Sequence, residues 1–153
     1  MVQEQWKFKL KTMSTILILG IVLMIVKFIA FFITHSNAIL TDALESIINV
    51  VAGAFALYSI YYSSQPKDSD HPYGHGKIEY LSSGLEGSLI GIAGIAMIIK
   101  SGYSFFYPQE LHSLDIGLYL TLFAGSCNYL MGRYLIRQGN AHHSTAMMAD
   151  GKH

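Results

Sequence analysis

The feature that most constrains this chain is the run of residues 14–34, STILILGIVLMIVKFIAFFIT, which holds a single charge, Lys27. At about 1.5 Å of rise per residue, a helix of that length spans roughly 30 Å, the hydrocarbon thickness of a bilayer. A secretory signal would have a shorter apolar core followed by a small-residue cleavage site. Neither feature occurs here, so the run reads as a retained membrane helix.

Three more apolar segments follow, at about 37–63, 80–106 and 115–135. A fifth starts near His142 and reaches the last residue given. The expected fold class is therefore all-α, a polytopic transmembrane bundle of four complete spans and the start of a fifth. Composition agrees, because 13% of the residues are charged where a soluble domain carries about 25%. Pro66, Pro72 and Pro108 all fall between the apolar runs, where they cannot break a helix interior. Net charge is zero, so no basic field points to nucleic acid. The single cysteine, Cys127, cannot form an internal disulfide and is expected to fill a small core position. The bilayer is the expected partner, and no organic cofactor is implied.

The Lys and Arg distribution predicts an orientation. Lys7, Lys9 and Lys11 precede the first span, Lys67 and Lys77 lie in the second loop, and Arg133 and Arg137 end the fourth span, whereas the first loop has neither residue type. By the positive-inside rule the N-terminus and the second and fourth loops are cytoplasmic. Trp6, Phe8 and the tyrosines at 58, 61 and 62 are placed to anchor span ends at the interface. In the third span Gly84, Gly87, Gly91 and Gly94 share a helix face. Such a face predicts close helix packing, with a hinge as the alternative.

Ionisable residues inside a span are costly and usually face the bundle interior. Asp42, Glu45 and Asn49 lie on one stripe of the second span, at offsets of three, four and seven. Two carboxylates and an amide oxygen there make half of a cation site, or else a polar seam between helices. The second loop reads Asp68-Ser-Asp-His71-Pro-Tyr-Gly-His75-Gly-Lys77. Imidazole nitrogen and carboxylate oxygen are ordinary zinc ligands, and Gly74 and Gly76 would let the backbone turn so that Asp68, His71 and His75 converge. The bland alternative is a solvated loop with incidental histidines. His142 and His143 read as a polar helix start. The terminal Ala149-Asp150-Gly-Lys-His153 is uninformative by itself.

Three of these segments together resemble the cation diffusion facilitator family. Leu40-Thr-Asp42-Ala-Leu-Glu45-Ser-Ile-Ile-Asn49 is similar to that family's second span, Gln65 through Glu79 to the loop after it, and Ala149–His153 to the start of its fifth span. Order and separations match, and the likeness covers nearly the whole chain. It implies six membrane helices, a cytoplasmic ferredoxin-like domain and a homodimer. It also implies a tetrahedral transport site with Glu45 and Asn49 from the second span and His153 from the fifth. A fourth ligand would lie four residues beyond His153. Asp68, His71 and His75 would form a second metal site facing the cytoplasm, with Asp42 and Asp150 behind the transport ligands.

Two departures stand out. The family usually has two aspartates where this chain has Glu45 and Asn49. The chain also ends inside the fifth span, without the sixth span or the cytoplasmic domain, and is expected to be a fragment or a truncated reading frame. The function implied is export of a divalent metal as substrate in exchange for protons. Zinc is expected first, since His153 brings nitrogen, with iron, cobalt or manganese as alternatives. Protons would compete with metal for Glu45 and His153. Two rivals come from other classes. An intramembrane metalloenzyme would want a His-Glu-x-x-His stretch, which is absent, so no enzyme is expected. A non-transporting, metal-binding or interaction protein that dimerises through the glycine face remains the alternative.

Overall fold

The computed structural model describes residues 2–35, 37–69, 71–106 and 114–152. They form five α-helices, and no strand occurs among them: α1 (Val2–Thr34), α2 (Asn37–Ser63), α3 (Ile78–Phe106), α4 (Leu114–Ala141) and α5 (Thr145–Lys152). The expected all-α transmembrane bundle is what forms. Among the described residues, Glu4–Thr34, Ala38–Ser63 and Ile78–Tyr103 are long and apolar enough to cross a membrane. The expected fourth span falls within α4. That helix carries Gly125, Ser126, Asn128, Gly132, Arg133 and Arg137 and is the least apolar of the four long helices.

The distribution of side chains is that of a protein dissolved in lipid. Ile18, Val22, Ile25, Ile29 and Ile33 of α1 are exposed, as are Ile92, Ile95, Ile98 and Ile99 of α3. The buried set instead includes Lys9, Lys27, Ser46, Ser59, Glu79, Ser82, Glu86 and Ser144. Lipid tails are as apolar as isoleucine, so outward-facing isoleucines cost nothing there, whereas polar groups must find partners inside.

α1 packs along α2, α2 along α3, and α5 against α2, α3 and α4. An apolar cluster of Met13, Ala56, Ile60, Leu135, Ala146 and Met147 joins α1, α2, α4 and α5, with Trp6 packed beside it. Trp6 also lies beneath the Lys9 ammonium, 4.4 Å from the ring centroid. Its role is thus packing as well as any interfacial anchoring. Cys127 is half-buried rather than a core residue.

The α4–α5 reversal is sharp and fully capped. His143 sits at φ 50°, and the Ser144 N–H donates to Gly139 O at 2.9 Å. That is the geometry of a helix closed by a left-handed residue. Ser144 then caps α5, its Oγ accepting from the Met147 N–H at 3.4 Å. Here the two helices approach at glycines. A Cβ at Gly132 would lie 2.7 Å from Gly151 O, and one at Gly151 would lie 2.7 Å from Gly132 O. The glycine face of α3 behaves otherwise, because a Cβ at Gly84, Gly87, Gly91 or Gly94 would meet nothing within 4 Å. Among the described residues, the packing expected of that face does not occur.

Candidate metal centre

The loop between α2 and α3 brings Asp68, His71 and His75 together. α2 closes with a turn in which the Gln65 N–H donates to Tyr62 O at 3.1 Å, and Pro66 prevents continuation. Asp68 Oδ1 accepts from the His71 N–H at 2.6 Å and meets His71 Nδ1 at 3.0 Å. Its Oδ2 lies 3.4 Å from His75 Nε2. Gly74 supplies the turn, at φ +86°, with its N–H on His71 O at 2.9 Å. Gly76, by contrast, is not at a positive φ. The imidazoles of His71 and His75 lie 4.5 Å apart, centroid to centroid.

One ligand atom from each of the three residues lies within 4.8 Å of the other two. Tetrahedral zinc, with ligands near 2.0–2.1 Å, needs ligand-to-ligand edges of about 3.3 Å, so a small contraction would bring all three donors onto one ion. His75 is buried and its ring is held edge-on by Tyr62, centroids 4.6 Å apart. Nδ1 of His75 has no partner among the described residues. Some desolvation disfavours the Asp68 carboxylate, but the His71 N–H, the His71 ring and the charge of both histidines outweigh it. They hold the carboxyl below its ordinary value. Sequence reading did not place Tyr62 at this site, and its position thirteen residues before His75 gives no signal.

The second-span stripe divides. Asn49 lines a cavity of about 590 Å³ between α1, α2, α4 and α5, together with Lys27, Ser46, Gly53, Asn128 and Asp150. Its Oδ1 is buried without a partner among the described residues. Glu45, one turn away, is half-buried and does not line that cavity. Asp42 is engaged elsewhere, because Lys27 Nζ of α1 donates to its Oδ1 at 2.8 Å and to Ser46 Oγ at 2.9 Å. The lone charge of the first span is thereby satisfied, as a buried ammonium must be. Asp150 reaches the cavity beside Gly53, where a side chain would contact its Oδ1 at 3.5 Å. His153 lies outside the described residues.

A third polar cluster gathers the ends of α1, α3 and α5. Ser144 Oγ donates to Glu79 Oε2 at 2.6 Å, and Lys9 Nζ lies 3.9 Å from Glu79 Oε1. Phe8 packs on His142, centroids 4.6 Å apart, so His142 is part of this packing rather than a free helix start. Sequence reading also passed over Glu86, which is 1% exposed. Its signal was available: it lies seven residues after Glu79 on the same face of α3, inside an apolar span.

A family model described as the cation efflux transmembrane domain matches residues 13–153. The chain belongs to the cation efflux family. It is 36% identical over 124 residues to an uncharacterized transporter of Synechocystis, covering 81% of this chain and 40% of that protein. It is 31% identical over 153 residues to the manganese efflux system protein MneP of Bacillus subtilis, covering 97% of this chain and 50% of the relative. It is 30% identical over 137 residues to the cation-efflux pump FieF of Pectobacterium carotovorum, covering 88% and 45% respectively. The chain thus spans half or less of the length of these relatives.

Proposed function

We propose that the full-length protein exports divalent metal cations from the cytoplasm in exchange for protons. The observation that carries this reading is the cation efflux family match over residues 13–153. The polar side chains of Asn49, Asn128 and Asp150 in a cavity otherwise lined largely by apolar residues support it, since a cation in transit needs oxygen or nitrogen donors at membrane depth. In this reading Glu45 and Asn49 of α2 and His153 of the fifth span are the transport ligands. Asp150 lines their approach, and Asp68, His71 and His75 bind a second ion at the cytoplasmic face. Asp42 is held by Lys27 and orients α2 instead of meeting the metal. The protein acts as a homodimer with its N-terminus in the cytoplasm and performs no enzymatic step.

Zinc fits the nitrogen that His153 would bring. Manganese is favoured by a separate observation: Glu45, Asn49 and Asp150 all offer oxygen, the donor that suits harder cations, and one relative is named for manganese efflux. Flux into liposomes holding the full-length protein, with zinc and manganese compared side by side, tests the function. Glu45→Gln keeps the shape and removes the charge and the exchangeable proton, so it should abolish coupled flux. Asn49→Asp should tighten divalent binding. Transport by Glu45→Gln at the unmodified rate would return the stripe to a polar seam between helices.

A further inference from the structure

Lys27 is the single charge of the 14–34 run, and its side chain is 9% exposed. A buried ion pair gains little over an apolar replacement, so stability alone does not account for a cation in the middle of an apolar helix. Its bonds close a small ring. Lys27 Nζ donates to Asp42 Oδ1 at 2.8 Å and to Ser46 Oγ at 2.9 Å, and the Ser46 hydroxyl donates to Asp42 O at 2.9 Å. The ammonium is thereby fixed across the seam between α1 and α2.

Two hollows meet at this ammonium. The cavity of about 590 Å³ takes residues of α2 from Ser46 onward and residues of α4 from Gly125 onward. A crevice of about 20 Å³ takes Ile39 and Asp42 of α2, and Leu120, Phe123 and Ala124 of α4. Among the described residues, Leu23 and Lys27 alone line both. The order is the same on every helix, so the crevice lies toward the α1–α2 turn and the cavity lies on the other side of Lys27. Lys27 stands seven residues before the end of α1, about 10 Å of helix. The lining is asymmetric, because Asp42 borders the crevice but not the cavity. A cation in the cavity therefore meets the ammonium first, with the carboxylate behind it. Like charges repel more strongly at low dielectric than in water. A hollow of the crevice's size holds roughly one water, not a hydrated ion.

We propose that the Lys27–Asp42 ion pair is the outer gate of the cavity, closing the seam between α1, α2 and α4 to cations until the ammonium leaves the carboxylate. The inference rests on the transport reading for the cargo and for the side called outer, whereas the closure belongs to the resting protein. Opening needs α1 to part from α2 at this level and involves no covalent or redox step. Lys27 acts by closing the route and is not a metal ligand. Asp42 is its anchor, which accounts for a carboxylate three residues from Glu45 that does not line the cavity.

Gly20 of α1 lines the cavity on the inner side of Lys27, and a side chain there meets nothing within 4 Å. Gly20→Cys, in a full-length protein carrying Cys127→Ala, is therefore the reporter. An impermeant thiol reagent applied outside intact cells should modify it slowly while Lys27 is present. Lys27→Ala removes both the charge and the bulk of the gate. A minor open state is about 0.1–10% populated, so making it dominant should raise the labelling rate about tenfold or more. Asp42→Asn keeps the shape of the anchor without its charge. It should move the rate in the same direction, and it decides the matter if Lys27→Ala does not fold. Lys27→Arg keeps the cation and its bonds and should stay at the slow rate. Equal rates with and without Lys27, or ready reaction while Lys27 is present, would overturn the gate. In liposomes, zinc or manganese should cross the Lys27→Ala protein without a proton gradient, whereas the protein with Lys27 should require one. If the labelling pattern holds and no protein moves metal, the gate stands and the transport reading falls. If the protein with Lys27 exchanges metal for protons but labelling is equal throughout, the transport reading stands and the gate falls.

Discussion

Asp68 decides most at the scale of single residues. Its carboxylate holds both histidines of the loop, at 3.0 and 3.4 Å, and would be the anionic ligand of any ion there. Asp68→Asn removes the charge and one of the acceptor oxygens. It should lower the loop's affinity for zinc at least tenfold in equilibrium dialysis, and an unchanged bound stoichiometry and affinity would end the assignment. Because the folded-state value lies below the ordinary one, the ordering that depends on this carboxylate is fully present above the usual carboxylate range of about 3.9. It is lost only as pH falls through the lowered value. A carbon-detected titration of the Asp68 carboxyl should therefore show its midpoint below about 3.9, and a midpoint above it would contradict the hydrogen bonding described.

The helices themselves make a sharper distinction among glycines. Gly132 and Gly151 let α4 and α5 touch backbone to backbone, so Gly151→Ala must push the helices apart. Overpacking of this kind costs about 1–3 kcal/mol. Gly87→Ala meets open space and should be neutral or gain up to ~1 kcal/mol from helix propensity. Thermal unfolding in detergent should separate the two variants, and equal transitions would refute the close approach. Ser144→Ala removes both the α5 cap and the donor to Glu79. Losing a cap costs about 1 kcal/mol, and leaving Glu79 Oε2 without that donor costs about 1–3 kcal/mol more. The transition should fall accordingly, and an unshifted midpoint would show that the hub is dispensable.

For the whole molecule, α1 is locked to α2 by Lys27 and Asp42. Removing one partner of a buried pair costs about 3–5 kcal/mol. Here the Asp42 side chain is 34% exposed, and solvent screening brings that to roughly 2 kcal/mol. Lys27→Met should destabilise by about that amount, and Lys27→Met with Asp42→Asn should recover most of it. A double variant no better than the single would show that the two residues are not coupled. Orientation is tested by cysteine labelling. The N-terminal part of α1, the start of α3 and the α4–α5 turn meet at one end of the bundle through Lys9, Glu79 and Ser144. Ser69→Cys should resist impermeant reagents applied outside intact cells, whereas Asn37→Cys should react. Reaction at Ser69→Cys from outside would invert the proposed topology.

The features legible in the residues alone are those that short-range chemistry controls. Apolar runs long enough to cross a bilayer become helices, since lipid leaves the backbone no other way to satisfy its polar groups. The convergence of Asp68, His71 and His75 was equally legible, because three residues within one turn-rich loop need only Gly74 to meet. The partners of Lys27 and Glu79 were not. A helical stripe tells which face a residue occupies but not which element lies opposite, and Lys27–Asp42 and Glu79–Ser144 are pairings between elements distant in sequence. The glycines show the same limit. In lipid no hydrophobic force distinguishes an inward face from an outward one, so spacing alone could not say that Gly151 would be packed and Gly87 left open. Only the tertiary arrangement decided which small residues admit a neighbour and which buried polar groups meet a partner.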